Sequence, residues 1–166
     1  MEGGATGTPF RGGFRYLRSD DGAAVTADVW GADLAEVLAR TVEAACRAAG
    51  VPDAPAPAPP QRVECRGDDI ESLLDAAVAH VLGRLASDGV YLTAARCTSL
   101  ARIDAGGELP PGFAALLVCD AQHVVPPGES ELVAVQPAGR RCRAWREGQV
   151  LRVQVHLRAA PAADAS

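Results

Sequence analysis

Residues 67–92 read GDDIESLLDAAVAHVLGRLASDGVYL, and within them the chain changes from a helical to a strand-like period. Ile70, Leu73, Leu74, Ala77, Val78, Val81, Leu82 and Leu85 recur at three- and four-residue spacing, which gathers them on one stripe of a long helix that must face a core. Gly67-Asp68-Asp69 opens this helix, with Asp68 as the expected cap and Glu71 three residues later, the spacing of a capping box. From Gly89 onward the period becomes two. Val90–Thr93, Ser99–Ile103, Phe113–Cys119, Glu131–Gln136 and Arg140–Trp145 are strand candidates separated by Gly-Gly, Pro-Pro-Gly and Pro-Ala-Gly turns. In the last strand Leu151, Val153, Val155 and Leu157 alternate with Arg152, Gln154, His156 and Arg158, so one sheet face is apolar and needs a cover.

Upstream, Val51–Pro60 alternates Pro with Ala, which removes amide donors and favours an extended spacer over a packed element. A first helix precedes it. Asp33 stands at the N-cap position with Glu36 three residues on, and Leu34, Val37, Leu38, Val42, Ala45 and Cys46 follow at helical spacing until Gly50 stops them. Phe14–Leu17 and Val25–Trp30 have strand composition and are joined by the turn-like Ser19-Asp20-Asp21-Gly22. Residues 1–13 and 159–166 are poor in apolar side chains and are expected to be disordered tails around one domain spanning 14–158. The order of elements predicts an α+β fold, with two helices packed on one face of a mixed, mostly antiparallel sheet.

Composition narrows the function classes. The 166 residues carry a net charge of −5, and all sixteen basic residues are arginine, a bias given no functional weight. A negative chain does not bind nucleic acid through a basic shell, so no direct nucleic-acid partner is expected. The arginines cluster once, at Arg140, Arg141, Arg143 and Arg146, and solvated edge-strand charge is the simpler reading of that patch. Cys46, Cys65, Cys97, Cys119 and Cys142 form no CxxC pair, which argues for reduced, buried thiols and against a zinc site. No apolar run is long enough to cross a bilayer and no secretory segment opens the chain, so a soluble, cytoplasmic protein without a membrane partner is expected. Neither a nucleophile elbow nor a phosphate-binding glycine loop is present, which points away from an independent enzyme.

Several local signatures, in order and spacing, resemble archease. Tyr16–Val25 reads YLRSDDGAAV and is similar to that family's opening Tyr-x-x-x-Asp-His-Thr-Ala-Asp-Val. Val29-Trp30-Gly31 matches its Ala-Trp-Gly, and Asp33-Leu34-Ala35-Glu36 opens the following helix. Residues 67–92 resemble its Gly-Glu-Asp-Leu-Glu-x-Leu-Leu helix. Pro126-Pro127-Gly128 before Glu131–Val135 resembles the turn and strand ahead of its Tyr-His-Gly-Leu segment. The likeness spans about Phe14 to Arg158.

The resemblance implies a non-catalytic accessory protein that activates an RtcB-type GTP-dependent RNA ligase in tRNA splicing and RNA repair. It also implies a divalent cation, calcium or magnesium, held by carboxylates near the tip of the sheet. Carried over residue by residue, the family's leading acid is Asp20, its His falls on Asp21 and its final Asp on Ala24. The Asp closing the last strand falls on Arg158, and the His of Tyr-His-Gly on Ala138. Asp20 and Asp21, with Asp28 near in sequence, are the acids left to hold a metal, while Asp and Gly are equally what an ordinary turn demands. The turn reading takes precedence, so weakened or lost metal binding and no other cofactor are expected. The expected partner is the RNA ligase. The alternative is a metal-free, diverged member of the fold that serves as an interaction or scaffold module. Of His80, His123 and His156, which share no ligand spacing, His123 resembles a histidine in a loop of the family and is the one to test.

Overall fold

The computed structural model describes residues 12–20, 23–104, 106–108, 111–127, 131–139 and 142–159. The chain opens with two strands, β1 (Gly13–Arg18) and β2 (Ala24–Gly31), paired antiparallel from Gly13↔Trp30 to Arg18↔Val25. Helix α1 (Leu34–Arg47) follows, capped by the Asp33 carboxylate, which accepts from the Glu36 N–H at 2.9 Å. Next come strand β3 (Ala56–Gly67) and helix α2 (Ile70–Asp88). Strands β4 (Val90–Ile103) and β5 (Gly112–His123) form a long hairpin. The chain closes through β6 (Val135–Pro137), β7 (Arg143–Glu147) and β8 (Val150–Ala159).

The α+β class, with two helices against antiparallel strands, is as the sequence predicts. The strands, however, divide between two sheets. One runs β1-β2-β8-β6 with β7 also on β8, the other β3-β5-β4, and every pairing among the described residues is antiparallel. Both helices touch strands of both sheets and each other. Helix α1 is enclosed by the β1-β2-β8 side, by β4 and by α2, so its burial extends beyond the expected stripe to Ala39, Thr41, Glu43 and Ala44. Helix α2 keeps a one-sided stripe, Leu73 to Leu85, and exposes Ala79, His80, Gly83 and Ser87. No helix among the described residues is long and apolar enough to cross a membrane.

Four details correct the sequence reading. The cap of α2 is Asp69, whose carboxylate accepts from the Ser72 N–H at 2.7 Å, one residue beyond the expected Asp68. Gly67 cannot carry a side chain there, because a Cβ would strike the backbone of Ser72 and Leu73. The Pro/Ala spacer of 51–60 is irregular only to Pro55. From Ala56 its prolines belong to β3, an edge strand that needs no donor on its outer side, and a bulge between Ala58 and Gln61 absorbs them. The candidates 90–93 and 99–103 are one strand, interrupted by register shifts at Leu92/Ala94 and Cys97/Ser99. Finally, Gly13 and Ala159, assigned to tails, pair with Trp30 and Val135; residues 1–11 and 160–166 lie outside the described residues.

All five cysteines are free thiols. Cys46, Cys65, Cys119 and Cys142 are buried and Cys97 is half-buried, so they pack as the small apolar groups that composition suggested.

Candidate functional site

Of the residues singled out by the sequence, Asp20, Ala24 and Arg158 meet at one end of the five-stranded sheet. The β1–β2 turn is held by Ser19, whose N–H donates to the Ala24 carbonyl at 2.9 Å and whose hydroxyl oxygen accepts from the Ala24 N–H at 3.0 Å. This hands Asp20 to solvent at the tip. Strand β8 returns antiparallel to β2, so Ala24 stands directly opposite Arg158, and the Ala159 N–H donates to the Ala23 carbonyl at 2.9 Å. On the other side of β8, Gln136 of β6 faces Arg158. With its carboxamide oxygen turned toward the guanidinium it accepts from Nε at 2.9 Å and Nη2 at 3.2 Å. Beneath this corner lies a cavity of about 230 Å³ lined by Arg18, Ala23, Ala48, Gly50, Glu131 and Arg158, among others.

This corner offers hydrogen-bond donors and positive charge where a hard cation would need several oxygens. Among the described residues no group of three His, Cys, Asp or Glu side chains converges. Asp21 lies outside the described residues. Asp28 does not join Asp20: it sits about 13 Å along β2 from Ala24 at strand rise, and its carboxylate is engaged by Arg15 Nε at 3.4 Å and Gln154 Nε2 at 3.3 Å. His123 is not a loop residue but ends β5, exposed and paired with Val90 and Ala56 in the other sheet. His80 is on the exposed side of α2, and His156 projects from the polar face of β8 with Nδ1 3.3 Å from the Thr26 hydroxyl. The described residues therefore do not fit a divalent-cation site.

The thiols offer little nucleophilic chemistry. Burial pushes Cys46 and Cys65 up to about 11 and Cys119 up to about 12, and burial together with the adjacent Asp75 carboxylate raises Cys142 as well. A roomier groove of about 510 Å³ runs past Leu34, Ile70, Phe113, Trp145 and Leu151. Its Glu71 carboxylate already accepts the Ala144 N–H at 2.9 Å.

Sequence reasoning missed two sets of residues. The first binds helices to strand edges. Glu43 accepts the Ala95 N–H at 2.7 Å, while Arg40, paired with Glu43 at 2.9 Å, donates to the Ala95 carbonyl at 3.1 Å. Glu71 and Asp75 of α2 take the N–H groups of Ala144 and Cys142 at 2.9 and 2.7 Å. An i,i+4 carboxylate pair at Glu71 and Asp75, and an acid inside the apolar run of α1, were the available signals. The second is the outer face of the five-stranded sheet, where register aligns Gly13, Trp30, Arg152 and Trp145 in one row across β1, β2, β8 and β7. Arg15, Asp28, Gln154 and Arg143 form the next row.

No protein-family model and no curated protein matches the chain. Among solved structures, it is similar to the solution structure of Methanobacterium thermoautotrophicum protein 1598. The TM-score is 0.61 at 17% identity, over 88% of this chain and 98% of that one. At that identity the likeness shows the fold and leaves the activity open.

Proposed function

We propose that this chain is a non-catalytic, archease-like accessory protein that activates or modulates an RtcB-type GTP-dependent RNA ligase, docking through the end of the sheet that carries the β1–β2 turn. The observation that carries the reading is the opposition of Ala24 and Arg158 beside that turn, with Arg158 held by Gln136. By resemblance this is the corner where the family gathers carboxylates around a cation. Here a guanidinium occupies it and brings a positive charge in place of a carboxylate. The docking corner accordingly works without a divalent cation: Arg158 supplies the charge and addresses an acidic or carbonyl-rich partner surface directly.

The deciding experiment adds the purified chain to its cognate ligase and follows ligase guanylation and RNA joining. Stimulation that Arg158→Ala and Asp20→Ala each weaken is the expected result. Unchanged guanylation and joining would refute the ligase reading and leave the fold as a scaffold module for another partner. Calorimetric titration with calcium and with magnesium tests the cation clause separately. No saturable heat is expected, whereas saturable heat lost in Asp20→Ala would return a metal to the turn.

A further inference from the structure

The outer face of the five-stranded sheet has a composition unlike the rest of the molecule. Both tryptophans of the chain stand on it, Trp30 on β2 and Trp145 on β7, in the same row and on either side of Arg152. Two strand spacings, about 10 Å, separate their backbones. The Trp30 indole lies over Gly13, so that a Cβ at Gly13 would sit 3.0 Å from the ring, and the tolerance of β1 for this ring rests on glycine. Trp145 is 38% exposed on the edge strand. The opposite face of the same strands, with Val25, Ala27, Val29, Val153 and Val155, is the one buried against the helices.

Charge on this face runs against the sign of the whole chain. Four arginines, Arg15, Arg143, Arg152 and Arg158, share it with His156. The acids among its described residues, Asp28 and Glu147, are already committed to Arg15 at 3.4 Å and Arg152 at 2.5 Å. Arg143 is exposed, four residues of strand away from Arg158 in register, about 13 Å. The acidic residues that make the chain negative lie elsewhere: at helix starts such as Asp33, Asp68 and Asp69, and at element ends such as Asp88 and Asp104. A net charge of −5 therefore excludes a basic shell but does not describe this surface.

We infer that this face binds a single-stranded polynucleotide, with Trp30 and Trp145 as stacking platforms and Arg143 and Arg158, the arginines not engaged by Asp28 or Glu147, on the phosphates. Flat aromatic rings rising from an open sheet, interleaved with guanidinium groups, meet the two demands of such a ligand: π-faces for unpaired bases and cations for the backbone. A duplex keeps its bases stacked inside and gains only the phosphate part. This inference stands on the sheet face alone and does not depend on the ligase reading.

Because both tryptophans lie on the proposed surface, intrinsic fluorescence reports on that surface and no other. Titrating the full chain with a labelled oligouridylate of about twelve nucleotides, at about 50 mM salt and again at about 200 mM, gives tryptophan quenching and label anisotropy together. Both should saturate at the same ligand concentration and weaken steeply with salt. Trp145→Ala should reduce affinity about tenfold, and the Arg143→Ala, Arg158→Ala pair should flatten the salt dependence. Arg62→Ala, an exposed arginine on the other sheet, should change nothing. Absence of saturable binding at the lower salt overturns the inference. So does anisotropy without quenching, which would place the oligonucleotide elsewhere, and so does equal binding of poly-glutamate, which would assign the face to an acidic protein.

Discussion

The two helices do the same job under different conditions. Each lies beside an open strand edge and supplies side-chain partners for backbone groups that have no neighbouring strand. Helix α2 does so at the periphery. Its Glu71 and Asp75 are four residues apart, about 6 Å along a helix, close to the roughly 7 Å between alternate residues of a strand, so two carboxylates reach the N–H groups of Ala144 on β7 and of Cys142 just before it. Helix α1 does so inside the protein. There a carboxylate alone would leave the Ala95 carbonyl unmet, and the Arg40–Glu43 pair satisfies both the N–H and the C=O of that one residue. Depth decides how complete the hydrogen bonding must be. A half-satisfied group costs little near water and much where water cannot reach.

The comparison is sharpest in the apolar packing. Leu38 of α1 is fully buried between the two sheets, whereas Leu82 of α2 is at the margin of its stripe. Leu38→Ala is expected to cost about 4 kcal/mol and Leu82→Ala about 2 kcal/mol, read from urea unfolding midpoints at constant slope. Equal costs would mean that α1 is no more central than α2. The edge clamps come next. Glu43→Ala leaves the buried Ala95 N–H without its acceptor and removes the Arg40 ion pair, and should cost about 2 to 3 kcal/mol, against about 1 kcal/mol for Glu71→Ala, whose strand N–H can turn to water. A double-mutant cycle with Arg40→Ala should reveal coupling at the first site.

Alkaline sensitivity gathers a thiol and two phenols around α1, although burial also raises Cys65 and Cys119, and raises Cys142 beside Asp75 of α2. Cys46 lies within α1, pushed up to about 11 by burial. Tyr16 and Tyr91, also raised by burial, donate to the carbonyls of Ala44 and Gly50 at 2.7 Å, around the end of that helix. A folded pKa above the unfolded value means the unfolded chain loses its proton first, so stability holds below about pH 9 and declines as pH rises toward 11. Unfolding midpoints at about pH 8 and about pH 10 should differ, and Cys46→Ala should shrink the difference; a flat profile would remove the link between α1 burial and alkaline loss. The smallest effect is expected on the solvent side of α2. Arg84 pairs with Asp88 at 2.9 Å and reaches Gln61 at 3.0 Å, and Arg84→Ala should cost about 0.5 kcal/mol or less.

These contrasts explain what was readable beforehand. The stripe of α2 matched its burial almost residue for residue because one side of that helix faces water, which is the condition under which periodicity carries information. The stripe of α1 understated its burial, because Ala39, Thr41, Glu43 and Ala44 are closed in by elements distant in sequence, such as β4 at Glu43 and β1 at Ala44, whose approach no local pattern announces. The candidate site divides in the same way. Ala24 and Arg158 were each identifiable as substitutions within a resemblance, but their opposition, and the role of Gln136 in holding Arg158, required the β2-β8-β6 pairing. Asp28 looked available for a metal, and the register put Arg15 and Gln154 on it.

By itself the amino-acid order determined the local elements and their class: the cap at Asp33, the left-handed glycine after α1 at Gly50 (φ 116°), the alternation of β8, and hence helices covering antiparallel strands. Those features rest on interactions within a few residues, where hydrogen-bond geometry and side-chain period leave little choice. Tertiary structure alone decided that the strands split into two sheets, that one helix is enclosed and the other is not, and that two tryptophans and four arginines scattered from residue 15 to residue 158 share one surface. Each of those outcomes depends on which distant strands pair and in what register. Many alternative pairings bury similar apolar area, and only the packing of the whole chain discriminates among them.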